Sequence, residues 1–223
     1  MAEPASGSGL KVTSLILVPT LITLVVTIVR LIGELQKWPS PFFSRAVGGG
    51  FAIVGIVWLV PVFGIYFALK LAGAGGGPTS FGKSIGFTVL GLVVVVVGGF
   101  VGFAPALTFP GKLAVGVVLM AVGTFLVYPG WPALFKTLLA YGYAARIPVA
   151  VIMGFAIRAQ WGTHYDVVPP EYKGPMDFWG KYFEIGLLPQ LVFWVVFTVV
   201  IGSLFGSIVA AIARRKPGAQ AAS

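Results

Sequence analysis

In the stretch Tyr128–Asp166, Lys136 and Arg146 stand where an apolar span is expected, with Tyr143 between them. A cation held away from water gains most from a negatively charged partner, so lysine and arginine in such a run are candidate anion-binding groups. Lys136 and Tyr143 are seven residues apart and nearly in register on a helix, and Arg146 lies about 80° around from Lys136 at 100° per residue. The three therefore form one broad polar stripe, the candidate ligand-binding site for an anionic solute. If the segment crosses a bilayer as a single helix, Arg146 falls near mid-membrane at a cost of about 2.5 to 3.5 kcal/mol, which a partner or a wet cavity must offset. A half-helix over 133–145 followed by a re-entrant or interfacial piece would avoid that cost.

The same stretch runs into His164, the chain's one histidine, with Asp166 two residues on. A histidine beside a carboxylate can move protons near neutral pH, which makes His164 and Asp166 the candidates for catalysis on a lipid at the membrane surface. Adding Glu171 completes no recognisable metal motif, so neither a metal nor a cofactor is expected. The chain has no cysteine, which excludes disulfides, thiolate catalysis and iron–sulfur ligation within it. Gly77 to Ser84 matches G-x-x-x-x-G-K-S in letters, but a phosphate loop follows a strand, and here both flanks are apolar runs of membrane-helix type.

These residues must be carried by membrane helices. Hydrophobic residues make up 58% of the 223 and charged residues only 9%, well below the roughly 25% charged of soluble domains. The formal charge of +9 comes from 15 Lys and Arg that lie mostly singly at the ends of apolar runs. That pattern anchors span ends in headgroups, whereas a nucleic-acid surface would cluster them, so no nucleic-acid partner is expected.

At about 20 apolar residues per crossing, the expected fold is all-α with about six transmembrane helices. The spans fall near 12–32, 50–71, 85–106, 113–128, 133–157 and 185–212, within a single domain over 11–213. Pro19, Pro61 and Pro148 are expected to kink their helices. Residues 1–10 read as a disordered tail ahead of a retained first span, and 214–223 as a basic tail. The segment 158–184, rich in Trp, Tyr and Phe, reads as an interfacial loop before the last helix. Arg30 and Glu34, four residues apart, read as a local ion pair.

Gly98 and Gly102, and again Gly202 and Gly206, put small residues at a four-residue spacing that lets helices approach closely. They are the candidate helix-packing residues. The cluster Arg214-Arg215-Lys216 favours a cytoplasmic C-terminus, in a bacterial inner membrane, while with the cluster counted the basic residues near span ends tie between the two sides.

The functional expectations rank accordingly. First comes a structural or accessory role in the bilayer, packing against other membrane subunits or within a homo-oligomer through the glycine faces. Second is a small transporter or channel for an anion using Arg146, Lys136 and Tyr143. Third is an interfacial lipid-acting enzyme using His164 and Asp166.

Overall fold

The computed structural model describes residues 10–49, 52–170 and 172–214, and those residues form helices and loops without a strand. Nearly all of the expected N-terminal tail, and the C-terminal tail beyond Arg214, lie outside the described residues. Six long helices are α1 (Val12–Leu35), α2 (Leu59–Gly73), α3 (Phe81–Phe103), α4 (Lys112–Leu126), α5 (Pro132–Ala159) and α6 (Phe178–Arg214). Five of them, α4 with its short 3₁₀ extension to Gly130 included, are long and apolar enough to cross a bilayer, and α2 is a shorter apolar helix. Outward-facing Leu17, Val25, Val96 and Phe100 would be costly in water and are the natural surface in lipid, so the chain is an integral membrane protein.

Several boundaries differ from the sequence expectation for reasons visible in the hydrogen bonding. The second apolar run was expected to be helical from residue 50, yet α2 begins only at Leu59, and 52–58 is irregular. The guanidinium of Arg30 takes the carbonyls of Ser44 (3.1 Å), Gly49 (3.0 Å) and Val54 (3.1 Å), folding this segment back over the end of α1. Gly49 is required there: its φ is +79°, and a Cβ would lie 2.5 Å from Arg30 Nη2. Helix α3 stops at Phe103, short of the expected 106, where Lys112 Nζ donates to the carbonyls of Ala104 (2.9 Å) and Leu107 (2.8 Å). The half-helix alternative for 133–157 is not adopted, since α5 runs unbroken through Pro148.

The expected loop 158–184 is shorter than the composition implied, because α6 starts at Phe178 with Asp177 as its cap, accepting from the Gly180 N–H at 3.0 Å. From Tyr182 to Leu187 and from Pro189 to Phe193 this helix is π-helical. Pro189 lacks the N–H that would serve the Ile185 carbonyl in an α-helix, and the next N–H, on Gln190, stands at the i+5 position a π turn uses.

Helix α6 is the centre of the bundle, with 61% of its 18-residue apolar stretch buried against 22% for that of α3, and packs on α2, α3 and α5. Helix α3 pairs with α4, and α1 leans on α5. The glycines decide these approaches. A Cβ at Gly98 would lie 2.7 Å from the Gly116 carbonyl oxygen, one at Gly206 2.6 Å from that of Gly64, and one at Gly202 2.6 Å from Leu138 Cδ2. Gly102 stands over Gly116, a Cβ there falling 3.6 Å from its Cα. Between α1 and α5 the contact is partly polar: Thr23 Oγ1 and Tyr141 OH are 2.7 Å apart.

Candidate functional site

The helices bring Arg146 and His164 to one cavity and leave Lys136 and Tyr143 out of it. Lys136 and Tyr143 stand on the exposed face of α5, with Lys136 Nζ 5.9 Å from the Tyr128 ring centroid, whereas Arg146 is turned inward and only 4% exposed. The angular offset read as one broad stripe is enough to divide it, because helix α1 and α6 cover one side of α5 and leave the other uncovered.

Arg146 has a sparse set of protein partners. Its Nη1 donates to Gln190 Oε1 at 3.3 Å, and its guanidinium carbon lies 4.6 Å from the centroid of the Trp194 ring. Among the described residues no carboxylate lies within 4.0 Å of it. Five N–H donors with one acceptor among the described residues leave the guanidinium under-coordinated by them. The partners come from the π-helical stretch of α6 and the residue following it, where the widened turns set Gln190 and Trp194 opposite α5.

The depth of Arg146 follows from its neighbours. Thr23 and Tyr141 mark one level on α1 and α5, which run in the same direction; Arg146 is five residues beyond Tyr141, about 7.5 Å at 1.5 Å per residue. Trp194 beneath it follows Phe193, whose ring packs at 5.2 Å against Phe103, the last residue of α3. Arg146 therefore sits near the level where α3 ends, not at the middle of the bundle.

Beyond Arg146 lies a cavity of about 510 Å³, within the roughly 300–1,000 Å³ common for ligand pockets. Its walls come from the end of α1, the segment between α1 and α2, the second half of α5, the first half of α6, the described loop residues from His164 to Pro169 with Tyr172, the end of α3 and the start of α4. Arg30 and His164 line its polar side with Arg146, and Glu184 and Tyr172 stand at its exposed rim. Most of the remaining lining is apolar.

The polar side is locked by Glu34, whose side chain is fully buried. Glu34 Oε1 accepts from Arg30 Nε at 2.7 Å and from His164 Nδ1 at 2.6 Å, and Oε2 accepts from the His164 backbone N–H at 2.8 Å. One carboxylate thus neutralises Arg30 and pins the loop to α1. The proton on Nδ1 is assigned from this bonding and leaves Nε2 as the free nitrogen. Burial pushes the His164 imidazole below its ordinary value, against the pull of Glu34 in the other direction. Burial and the Glu34 carboxylate push the neighbouring Tyr165 phenol up, and its hydroxyl donates to the Thr27 carbonyl at 3.3 Å.

Asp166 is placed differently from the pairing with His164 that its spacing suggested. Its carboxylate accepts from the Gly162 N–H (2.9 Å), the Thr163 N–H (2.8 Å) and Thr163 Oγ1 (2.7 Å), which closes the turn that presents His164. Glu171 lies outside the described residues, and among those described no cluster of three potential metal ligands occurs. In the phosphate-loop match, Ser84 Oγ is buried in a bond of 2.8 Å to Ser207 Oγ, inside the contact of α3 with α6.

Sequence reasoning missed Gln190 and Trp194 as partners of Arg146, and Glu34 as the partner of His164. A weak signal existed for each. Gln190 is a lone amide in an apolar span directly after a proline, and Glu34 is one of only six acids in the chain. Comparison with family models, with curated proteins and with solved structures finds no match for this chain.

Proposed function

We propose that this protein binds an anionic solute in the cavity at the loop end of its bundle and passes it into or across the membrane. The observation that carries the reading is Arg146: a buried guanidinium facing a cavity, with one neutral hydrogen-bond partner and no carboxylate within 4.0 Å among the described residues. A permanently charged group left in that state is stabilised by a bound anion, which would complete its coordination. Arg30 does not compete for the anion because Glu34 already neutralises it. The π-helical stretch of α6 supports the same reading, since such irregularities cluster at functional sites.

In this proposal the chain makes six crossings, with α2 as a short one and the proline-containing helices bent at Pro19 and Pro148. Both termini then lie on one side, cytoplasmic if the Arg214 cluster orients the chain in a bacterial inner membrane, and the cavity opens on the other. A purely structural role through Gly98, Gly102, Gly202 and Gly206 ranks lower, because neighbouring helices of the same chain fill those faces.

Uptake of radiolabelled benzoate into phosphatidylcholine liposomes tests the reading. Arg146→Gln should reduce anion binding and flux at least tenfold, while Lys136→Ala and Tyr143→Phe should behave as the parent. An Arg146→Gln protein with parental binding and flux would overturn it.

A second reading rests on the Glu34–His164 pair, an imidazole oriented by a carboxylate with Nε2 free, as a general base requires. On this reading the protein acts on a lipid at the membrane surface. Lipid turnover abolished by His164→Gln and retained in Arg146→Gln would favour it over the first.

A further inference from the structure

We infer that the ligand of this cavity is a single-chain amphiphilic anion that enters sideways from the bilayer, with its carboxylate or phosphate head on Arg146 and its chain against Phe193, Phe103 and Leu113. The inference rests on the anion-binding reading and specifies the chemical class of the anion. Three observations support it.

The first is the composition of the walls. Arg146 and Gln190 offer a charged donor and an adjacent amide at one place, enough to hold one small anionic head. Around them the cavity is mainly apolar, and a small hydrated anion would leave that surface unused while an alkyl chain would cover it.

The second is where the apolar wall leads. Phe103 and Leu113 line the cavity and are 54% and 39% exposed. They stand at the end of α3 and the start of α4, and α3 is among the least covered of the apolar helices, so on this side the cavity margin adjoins the lipid-facing surface. On the opposite side, Arg30, Glu34 and His164 form a closed hydrogen-bonded wall.

The third is depth. Arg146 lies level with the end of α3, and Phe193, which meets the Phe103 ring edge-on, links the Trp194 side of the cavity to that level. An amphiphile lying in the outer part of a bilayer has its head and its first methylenes at about this height, so it could reach Arg146 without first dissolving in water. Each methylene buried beside Phe193 and Phe103 would add about 0.8 kcal/mol of apolar transfer relative to water.

The test uses the full chain in phosphatidylcholine nanodiscs and the retention of radiolabelled dodecanoate. Unlabelled dodecanoate and dodecyl phosphate should compete well, the first probing a free acid and the second a lipid-type phosphate head. Dodecanol, with the chain but no charge, and benzoate, with the charge but no chain, should each compete at least tenfold more weakly. Arg146→Gln should weaken dodecanoate at least tenfold. Leu113→Trp, which narrows the margin without touching Arg146, should weaken dodecanoate more than it weakens benzoate. Benzoate competing as well as dodecanoate, with Leu113→Trp silent and Arg146→Gln still defective, would overturn the amphiphile and leave the anion reading standing. Binding of both probes unchanged in Arg146→Gln would overturn both. Dodecanol competing as well as dodecanoate would overturn the anionic head.

Discussion

Replacing Arg146 with methionine removes the guanidinium while keeping an unbranched side chain of similar reach, and the structure predicts an unusual result: little change in stability and a large change in binding. Among the described residues Arg146 makes one hydrogen bond, at 3.3 Å to Gln190, and one contact with an aromatic face, at 4.6 Å to Trp194. A hydrogen bond to a charged group contributes about 1.5 to 3 kcal/mol, and this length places it at the lower end. The aromatic contact adds about 0.5 to 2 kcal/mol. Opposing both is the cost of withdrawing the guanidinium from water, at most about 2.5 to 3.5 kcal/mol, the value at the centre of a spanning helix. The terms nearly cancel, so Arg146→Met should alter the unfolding free energy by less than about 1 kcal/mol, in contrast to the 3 to 5 kcal/mol lost when one partner of a buried ion pair is deleted. An anion bound at Arg146 loses at least one charge-assisted hydrogen bond, making binding about 10- to 150-fold weaker. Thermal unfolding and dodecanoate binding, measured on the same nanodisc preparation, separate the two effects. A loss of 3 kcal/mol or more in the ligand-free protein would show that Arg146 is a structural residue and refute the reasoning.

Glu34→Gln should behave oppositely, destabilising the protein by about 3 kcal/mol or more by leaving Arg30 buried without its carboxylate; thermal unfolding and faster proteolysis of the loop 160–177 would report it. Because burial lowers the His164 pKa from 6.5, the folded protein binds fewer protons than the unfolded chain between the two values. That contribution to stability is therefore full above about pH 6.5 and is lost as pH falls through the window, which unfolding midpoints measured from about pH 7.5 to 5 would follow; His164→Gln should remove this part of the slope. Gly206→Ala should cost about 1 to 3 kcal/mol in thermal unfolding, since its Cβ meets the Gly64 carbonyl, whereas Gly202→Ala should cost less because the Leu138 side chain can give way.

The membrane class of this protein was legible from composition and run length alone, because an apolar stretch of bilayer length has few other stable environments. Five of the six apolar runs correspond to helices of crossing length, and the local pair Arg30–Glu34 was readable from its four-residue spacing. The glycine spacings at Gly98, Gly102, Gly202 and Gly206 marked close-packing faces, but their partners Gly116 and Gly64 could not be named, since helix-to-helix pairing is a long-range choice. Arg146 stood out as a charge in an apolar run, a property of one residue in its local sequence.

What only the tertiary structure decided is which polar groups meet. Helical periodicity relates Lys136, Tyr143 and Arg146 to one another but does not say which side α1 and α6 will cover, so a shared stripe divided into two exposed residues and one buried cation. Residues 130 positions apart, Glu34 and His164, join through packing that no spacing rule reaches. Gln190 and Trp194 face Arg146 through a helix whose π turns change the 100° rotation per residue on which sequence registers depend. The sequence by itself determined the solvent and the helices; the cavity, and the buried cation that faces it, exist only once those helices are packed.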